Sequence, residues 1–235
     1  MSGPGCVGVD IGSLTVKVVL VDLQARILGR GVVAAGYGGL EAAESLLARV
    51  VEESGLSQTD IECTVATGYG RVRFLRADRE VSEISCHARG ALHLNPAART
   101  VIDIGGQDSK VIRLDKSGRV ADFAMNDKCA AGTGRFLEVM ATALGVQVSQ
   151  LGPLALASAH PVTISSTCTV FAESEAVSHI ARGALREDVA RGLLQAIASR
   201  VLGLAARVGA PGAWRPAAPP RLGRRAPCHP VPWWG

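Results

Sequence analysis

Apolar residues follow two kinds of spacing along this chain, and the order of the two is repeated. Short runs rich in Val, Leu and Ile predict strands, and stretches with apolar residues at helical spacing predict helices. The predicted strands lie within 5–21, 26–35, 61–67, 100–104, 110–115 and 120–125, and the predicted helices cover 40–54, 82–94, 134–144, 169–182 and 189–208. Strands followed by helices, twice over, predict an α/β protein of two similar halves, residues 1–95 and 96–210, each with a β-sheet flanked by helices.

One segment occurs in both halves. Residues 103–115, DIGGQDSKVIRLD, align without gaps with residues 10–22, DIGSLTVKVVLVD, and share Asp, Ile, Gly, Lys, Val and Asp at equivalent places. Each copy predicts a β-hairpin whose glycine-centred turn has an acidic residue at its entrance. Exposed backbone N–H groups beside a carboxylate are suited to phosphate and hydrated Mg²⁺. Two such hairpins facing each other can grip one nucleotide from both sides, whereas a single copy would indicate only a buried hairpin.

Composition narrows the class of protein. Hydrophobic residues make up 48% of the chain, which is ample for a core. No apolar run approaches the ~20 residues of a membrane span, and the N-terminus, MSGPGCVGVDIG, lacks the basic region of a signal peptide. We therefore expect a cytoplasmic protein without a membrane partner. The net charge of +4 equals the four arginines of residues 211–235, where no acidic residue occurs, so nothing in 1–210 indicates nucleic-acid binding.

Residues 211–235 differ in kind from the rest of the chain. They hold seven of the eleven prolines and all three tryptophans, and they show no periodicity. Such a Pro/Arg segment is expected to be irregular or disordered. It is either a true C-terminus or the translation of a wrong reading frame, and we favour the second.

Two of the six cysteines stand out. In a cytoplasmic chain cysteines are more often free, metal-bound or catalytic than disulfide-bonded. Cys129, in NDKCAAGTGRF, and Cys168, in ISSTCTVFAESE, each precede a predicted helix, whose N-terminus favours a thiolate or a thiolate-bound cluster. From the spacing alone, the two residues fit ordinary cysteines near helix caps as well as they fit cluster ligands. Cys63 lies in an apolar strand and is expected to be a small core residue, and the sequence assigns no role to the remaining three, Cys6, Cys86 and Cys228.

Taken together, these motifs resemble the activator component of 2-hydroxyacyl-CoA dehydratases, an ATPase family that includes the ATP-binding subunits of benzoyl-CoA reductase. The matching stretches are GVDIGSLTVKVVL, VATGYGR, SEISCHARGA, VIDIGGQDSKVI, NDKCAAGTGRFLE and STCTVFAESE, from about residue 7 to about residue 208. The two cysteine motifs are specific to this family. The acidic turns alone would indicate only the broader superfamily, and they imply its actin/hexokinase/Hsp70-like ATPase fold.

The resemblance also implies a set of site residues. Asp10 and Asp103 hold Mg²⁺ through water, and these two carboxylates with Gln107 are the candidate catalytic residues. The remaining nucleotide-binding residues are Gly12, Ser13 and Lys17 in the first turn and Gly105, Gly106, Asp108 and Lys110 in the second. Gly132, Thr133 and Gly134 then open the helix that connects the nucleotide to a metal cluster.

Family members are homodimers that hold one [4Fe–4S] cluster between their subunits. Such a cluster takes four thiolates, and Cys129 and Cys168 of two chains related by a twofold axis supply that number. By the same resemblance, the protein binds ATP and Mg²⁺, takes an electron from ferredoxin or flavodoxin and passes it to a partner 2-hydroxyacyl-CoA dehydratase.

One departure from the family pattern affects this expectation. Superfamily proteins end with a Gly-Gly-containing motif that holds the adenosine, and here the chain after residue 208 runs into the Pro/Arg segment instead. A frameshift or truncation accounts for this, and we expect weakened ATP binding. Three alternatives stay open: an ATP-binding subunit of a benzoyl-CoA-type reductase, a non-redox phosphotransferase of the same fold, which leaves both cysteine motifs unexplained, and an inactive truncated remnant.

Overall fold

A computed structural model describes residues 5–165 and 168–210. The first half contains β1 (Gly5–Ile11), β2 (Thr15–Asp22), β3 (Ile27–Ala34), α1 (Leu40–Glu53), β4 (Ile61–Thr67) and β5 (Arg79–Glu80). Then follow α2 (Glu83–Leu94), β6 (Thr100–Ile104), β7 (Ser109–Leu114), β8 (Val120–Asn126), α3 (Gly134–Ala143), α4 (Val148–Leu156), α5 (Thr169–Ala181) and α6 (Arg186–Arg207). Short 3-10 turns lie at Gln58–Asp60 and Arg71–Arg73.

The two sheets start with the same arrangement of strands. The first has the order β3-β2-β1-β4-β5, in which β1, β2 and β3 are antiparallel and β4 and β5 run parallel to β1. The second has the order β6-β7-β8 and is antiparallel throughout. Since β6 and β7 carry the second copy of the repeated segment, β6 corresponds to β1 and β7 to β2.

The last aspartate of the repeat has the same structural role in both copies. Asp22 Oδ1 accepts hydrogen bonds from the backbone N–H groups two and four residues further on, each at 2.9 Å. Asp115 Oδ1 does the same, at 2.8 and 2.9 Å. These bonds close the loop that leads from the hairpin to its third strand. The pKa of Asp115 lies below its ordinary value through a hydrogen bond from Ser117 Oγ and these backbone bonds, and that of Asp22 mainly through the backbone bond from Arg26. The duplication therefore extends beyond the turns to the loops behind them.

Buried and less buried residues alternate along β2, and the buried ones mark the face of the first sheet against which a helix packs. Val16, Val18 and Leu20 are fully buried on one face, where α1 packs with Leu46 and Val50. β3 passes close to this helix because Gly31 has no side chain there, and a Cβ on it would lie 2.6 Å from Leu46 Cδ1. The core of the first half is thus formed between one face of the sheet and α1.

The second sheet takes helices on both faces. Val111 of β7 faces a core built from α3, α4, α5 and α6, in which Met140 and Leu193 are buried. Ile112, the next residue, points to the opposite face and packs with Ala88 of α2. Among the described residues α6 has the length and apolar content of a membrane span, and Val189, Leu193 and Ile197 on one side of it pack into this core.

The predicted α/β fold of two similar halves is confirmed, and most strands and helices lie where the sequence pattern predicts them. Sequence analysis missed α4, whose short apolar stretch contains Gly152 and Pro153. The division at residue 95 stays a prediction, and α2, on its N-terminal side, packs against the second sheet. The prediction about residues 211–235 lies outside the described residues.

The first core makes a stability prediction. Leu46→Ala leaves a cavity between α1 and the first sheet, since Leu46 is 1% exposed, and should lower the free energy of unfolding by about 2–5 kcal/mol. The matched control is Leu156→Ala, at a leucine that is 85% exposed. Urea titration followed by circular dichroism measures both. Equal midpoints for the two variants would contradict the packing described here.

Candidate nucleotide and cluster site

The two acidic turns have the same backbone geometry. In the first, Gly12 N donates to Thr15 O at 3.0 Å, and in the second, Gly105 N donates to Asp108 O at 2.9 Å. Each hairpin also pairs its aspartate with its lysine across the strands: Asp10 stands opposite Lys17, and Asp103 stands opposite Lys110. The two predicted β-hairpins are therefore confirmed.

The charges in the two turns are arranged differently. Asp10 Oδ2 lies 3.0 Å from Lys17 Nζ, and both side chains are partly exposed. Lys110 is buried, and its Nζ lies 2.7 Å from Asp108 Oδ2 and 3.6 Å from Asp103 Oδ2. Burial by itself lowers the pKa of Lys110, but the hydrogen bond to Asp108 and the charges of Asp108, Asp103 and Glu83 outweigh it, so that the pKa lies above its ordinary value. Lys110 is thus a permanent positive charge inside the second turn.

The structure brings the two turns together. Leu14, in the first turn, lies over Gly106, in the second, and a Cβ on Gly106 would come within 2.5 Å of Leu14 Cδ1. The residues at the tips, Ser13 and Gln107, are exposed. The acidic entrances of the two hairpins therefore belong to one region of the molecule, as the repeated sequence predicts.

The second turn is bonded to the start of α3. Gly134 N donates to Gly105 O at 2.8 Å, and Arg135 N donates to Gly106 O at 2.9 Å. These are two of the N–H groups that a helix leaves without an internal partner. Thr133 is buried at the N-cap position, and Gly132 before it has a φ of 90°, a conformation that favours glycine. The predicted nucleotide-binding residues Gly132, Thr133 and Gly134 are thus fixed to the second turn.

Cys129 lies in the loop that leads into this segment. Asn126 Nδ2 donates to Cys129 O at 2.9 Å and to Ala131 O at 3.1 Å, and Thr133 Oγ1 donates to Ala130 O. The cysteine itself is partly buried against the core of the second half. Side chains at both ends of the loop therefore hold its backbone.

Cys168 is exposed and occupies the N-cap position of α5, as predicted. Two carboxylates hold the segment before it. Asp188 accepts from Ser158 Oγ at 2.7 Å, and Glu175 accepts from the backbone N–H of Ser165 at 3.0 and 3.1 Å. Since α5 packs against α3, the two candidate cluster ligands precede two helices that pack together.

Two further stretches of the family pattern, VATGYGR and SEISCHARGA, contain residues that contact the acidic turns. In VATGYGR, Gly70 N donates to Ile11 O at 2.9 Å, and Arg71 Nη1 donates to Gly68 O at 3.0 Å. In SEISCHARGA, Glu83 pairs with Arg71 at 3.1 Å, and His87 Nδ1 lies 3.4 Å from Asp103 Oδ1. The sequence signal was the presence of both stretches in the family pattern, but the contacts join residues that are distant in sequence.

The fold and the paired acidic turns are those of an actin-like ATPase. The solved structure of (R)-2-hydroxyglutaryl-CoA dehydratase component A from Acidaminococcus fermentans superposes with a TM-score of 0.83 at 46% identity, covering 88% of this chain and 80% of that one. The activator of 2-hydroxyisocaproyl-CoA dehydratase from Clostridium difficile, solved with bound ADPNP, gives a TM-score of 0.81 at 46% identity, covering 87% and 76%.

The chain belongs to the BadF/BadG/BcrA/BcrD ATPase family, whose sequence profile matches residues 7–213. It is 47% identical over 202 residues to a 2-hydroxyisocaproyl-CoA dehydratase activator of Clostridioides difficile, which covers 86% of this chain and 76% of the relative. The activator of lactoyl-CoA dehydratase of Anaerotignum propionicum is 49% identical over 202 residues, 86% and 78% of the two chains. A benzoyl-CoA reductase component of Thauera aromatica is 33% identical over 207 residues, 86% and 73%.

The close contact of Gly68, in the turn after β4, with Asp10 predicts that this glycine fixes the position of the aspartate. A Cβ on Gly68 would overlap with Asp10 Oδ1 and with the carbonyl oxygen of Ile11, so Gly68→Ala should displace Asp10 and reduce Mg²⁺-dependent ATP hydrolysis by about tenfold or more. Gly38→Ala is the matched control, because the two glycines have φ values of 84° and 82° and a Cβ on Gly38 meets nothing within 4 Å.

Both alanine variants carry similar backbone strain, on the order of 1 kcal/mol. Gly68→Ala adds the overlap with the backbone of Ile11, so urea titration should show the larger loss of stability for this variant. Only Gly68→Ala should lose activity in a coupled phosphate-release assay. An active Gly68→Ala variant would show that the turn does not fix Asp10.

Proposed function

We propose that this protein is an ATP-dependent one-electron donor that activates a 2-hydroxyacyl-CoA dehydratase through a [4Fe–4S] cluster bridging a homodimer. The observation that carries the proposal is the direct bonding of the second acidic turn to the segment that bears Cys129. Gly134 N donates to Gly105 O, and Cys129 lies five residues before Gly134. A nucleotide held by the turn therefore acts on the cluster loop through backbone hydrogen bonds. The activator names of two relatives support the same function.

The nucleotide end of the site fits Mg²⁺–ATP. Asp10 and Asp103 are partly exposed, as carboxylates that face a hydrated metal ion must be. Lys17 and Lys110 supply positive charge beside them, and Ser13 and Gln107 project from the two turns. In phosphoryl transfer the protein contributes mainly positioning and charge neutralisation. We assign Asp10 and Asp103 to the metal and one of the two to orienting the attacking water, with Gln107 as the third candidate catalytic residue.

The cluster end fits a site shared between two chains. Within residues 5–165 and 168–210, no group of three or more His, Cys, Asp or Glu side chains is placed to hold a metal ion. Cys129 and Cys168 give two thiolates per chain, so a twofold dimer gives the four that a [4Fe–4S] cluster takes. The exposed face of α5 next to Cys168 carries Val170, Phe171 and Val177, which are 65%, 67% and 51% exposed. A second copy that covers this face removes apolar surface from water.

When bound, the cluster supplies reversible one-electron chemistry at low potential. The protein supplies the cysteines, the start of α5 at Cys168, and the hydrogen bonds that hold both cysteine segments. The N-terminus of α5 favours negative charge on Cys168 and on the cluster. We further propose that ferredoxin or flavodoxin delivers the electron and that the protein works in the cytoplasm.

The benzoyl-CoA reductase relative favours a second candidate, in which the chain is the ATP-binding electron-transfer subunit of a reductase of that type. The two candidates share every site residue and differ in the partner enzyme. Mixing the reduced, ATP-loaded protein with a 2-hydroxyacyl-CoA dehydratase or with a benzoyl-CoA-type reductase, and assaying each acyl-CoA reaction, separates them. A non-redox phosphotransferase would contain no iron after anaerobic purification.

The cysteine assignment predicts the iron content of the dimer. Anaerobically purified protein should contain four iron atoms and four sulfide ions per dimer, and Cys129→Ala or Cys168→Ala should remove them. Cys63→Ala, in β4, is the control and should keep the cluster. Iron and sulfide analysis with analytical ultracentrifugation measures both quantities. Four iron atoms in a purified monomer would rule out the shared cluster.

The assignment of the acidic turns predicts variants that lose ATP hydrolysis but keep the cluster. Asp10→Asn and Asp103→Asn should each lower Mg²⁺-dependent ATP hydrolysis by about a hundredfold while the iron content stays unchanged. Asp115→Asn is the matched control, because this carboxylate belongs to the same repeat but bonds only its own loop. It should reduce stability and keep the parental rate. If both turn variants hydrolyse ATP at the parental rate, the two carboxylates do not hold the metal.

A further inference from the structure

Helix α2 touches both halves of the molecule. Directly before it, Val81 N donates to Ala66 O of β4 at 2.9 Å, which fixes its start to the first sheet. Its body packs on the second sheet, where Ala88 lies against Ile112 and Leu114. A side chain on this helix can therefore respond to the position of either half.

Glu83 and His87 are four residues apart and so lie on the same face of α2. Glu83 Oε2 lies 3.1 Å from Arg71 Nη1, on the side of the first acidic turn. His87 Nδ1 lies 3.4 Å from Asp103 Oδ1, in the second. His87 thus faces Asp103 of the second acidic turn, while Glu83 bonds the turn after β4 through Arg71 and lies near enough to Lys110 for its charge to act there.

The contact of Glu83 acts on Asp10 through the turn after β4. Arg71 Nη1 bonds both Glu83 and Gly68 O, at 3.1 and 3.0 Å. Gly68 in turn lies so close to Asp10 that no side chain fits between them. Glu83 therefore limits, through Arg71, how far the turn at Gly68 next to Asp10 can move.

The contact of His87 acts on Asp103 directly. One carboxylate oxygen of Asp103 faces His87 Nδ1 at 3.4 Å, and the other faces Lys110 Nζ at 3.6 Å. Each of these two contacts restrains rotation of the carboxylate about χ2, so the two together restrain it more than either one alone. Removing His87 leaves Asp103 with Lys110 alone.

We propose that Glu83 and His87 are positioning residues, which hold the two metal-facing carboxylates in a fixed relative orientation from a single helix. This rests on the proposed function of Asp10 and Asp103 in binding Mg²⁺–ATP. Neither residue is assigned contact with the nucleotide, and each acts through the aspartate or the turn that it holds. Orientation of the reacting groups accounts for much of the rate in such enzymes. Removing Glu83 or His87 should therefore lower kcat and leave KM nearly unchanged.

The test compares four variants of the full chain with its cluster loaded. His87→Ala should lower kcat for ATP hydrolysis by about tenfold with KM for ATP within about twofold, since every residue proposed to contact the nucleotide remains. His87→Asn places an amide N–H near the position of Nδ1 and should recover most of the rate. His93→Ala, at an exposed histidine of the same helix, should keep the parental rate. Glu83→Ala should lower kcat in the same way as His87→Ala.

Asp103→Asn, measured in the same assay, distinguishes a failure of the positioning role from a failure of the proposed function. If Asp103→Asn is inactive while His87→Ala keeps the parental rate, the positioning role is wrong and the proposed function stands. An equal loss in His87→Asn and His87→Ala would also overturn the role, because the N–H donor would then be irrelevant. If Asp103→Asn itself is fully active, the metal assignment fails, and the positioning role fails with it.

Discussion

The close contact between the two acidic turns is the constraint on which the rest of the site depends. Gly106 has no side chain where Leu14 of the other turn lies, and any larger residue at this position would force the Leu14 side chain or the turns to move. The carbonyl groups of Gly105 and Gly106 meanwhile accept the first N–H groups of α3. One four-residue turn thus contacts the other half of the molecule on one side and bonds the segment that follows the Cys129 loop on the other.

The two copies of the repeat have diverged in a way that suits this arrangement. Asp108 of the second turn occupies the position of Thr15 in the first. Its Oδ2 lies 2.7 Å from Lys110 Nζ, and this ion pair compensates the charge of the buried lysine. Lys17 of the first copy instead bonds Asp10 directly and stays partly exposed. The pair with Asp108 restrains the second turn, because releasing Asp108 would leave the buried charge of Lys110 with only its more distant partners. The second turn is also the one bonded to the loop that carries Cys129.

The hairpins could be predicted because their signal is local and duplicated: a strand, a glycine turn and a returning strand need only neighbouring residues. The same holds for α3, α5 and α6, whose caps or apolar spacing are visible in the sequence. Contacts across the fold carry no such signal. His87 meets Asp103 only because α2 packs on the second sheet, and the sequence pattern, which follows neighbours along the chain, does not show that packing. The roles of the site residues themselves rested on family resemblance, since spacing alone fitted Cys129 and Cys168 equally well as ordinary cysteines near helix caps.

The proposed coupling between a nucleotide and a cluster at Cys129 requires a rigid connection between the second acidic turn and the loop that carries this cysteine. The path from Gly105 to Cys129 contains a backbone bond at Gly134, a buried cap at Thr133, and the amide of Asn126 across the loop. None of these links passes through a long flexible side chain. ATP can shift the cluster loop only by binding one arrangement of the turns more tightly than another, and every 1.4 kcal/mol of such a difference is about a tenfold change in population. A short path of backbone bonds transmits that difference with little loss, because a packed interior moves between discrete arrangements rather than deforming gradually.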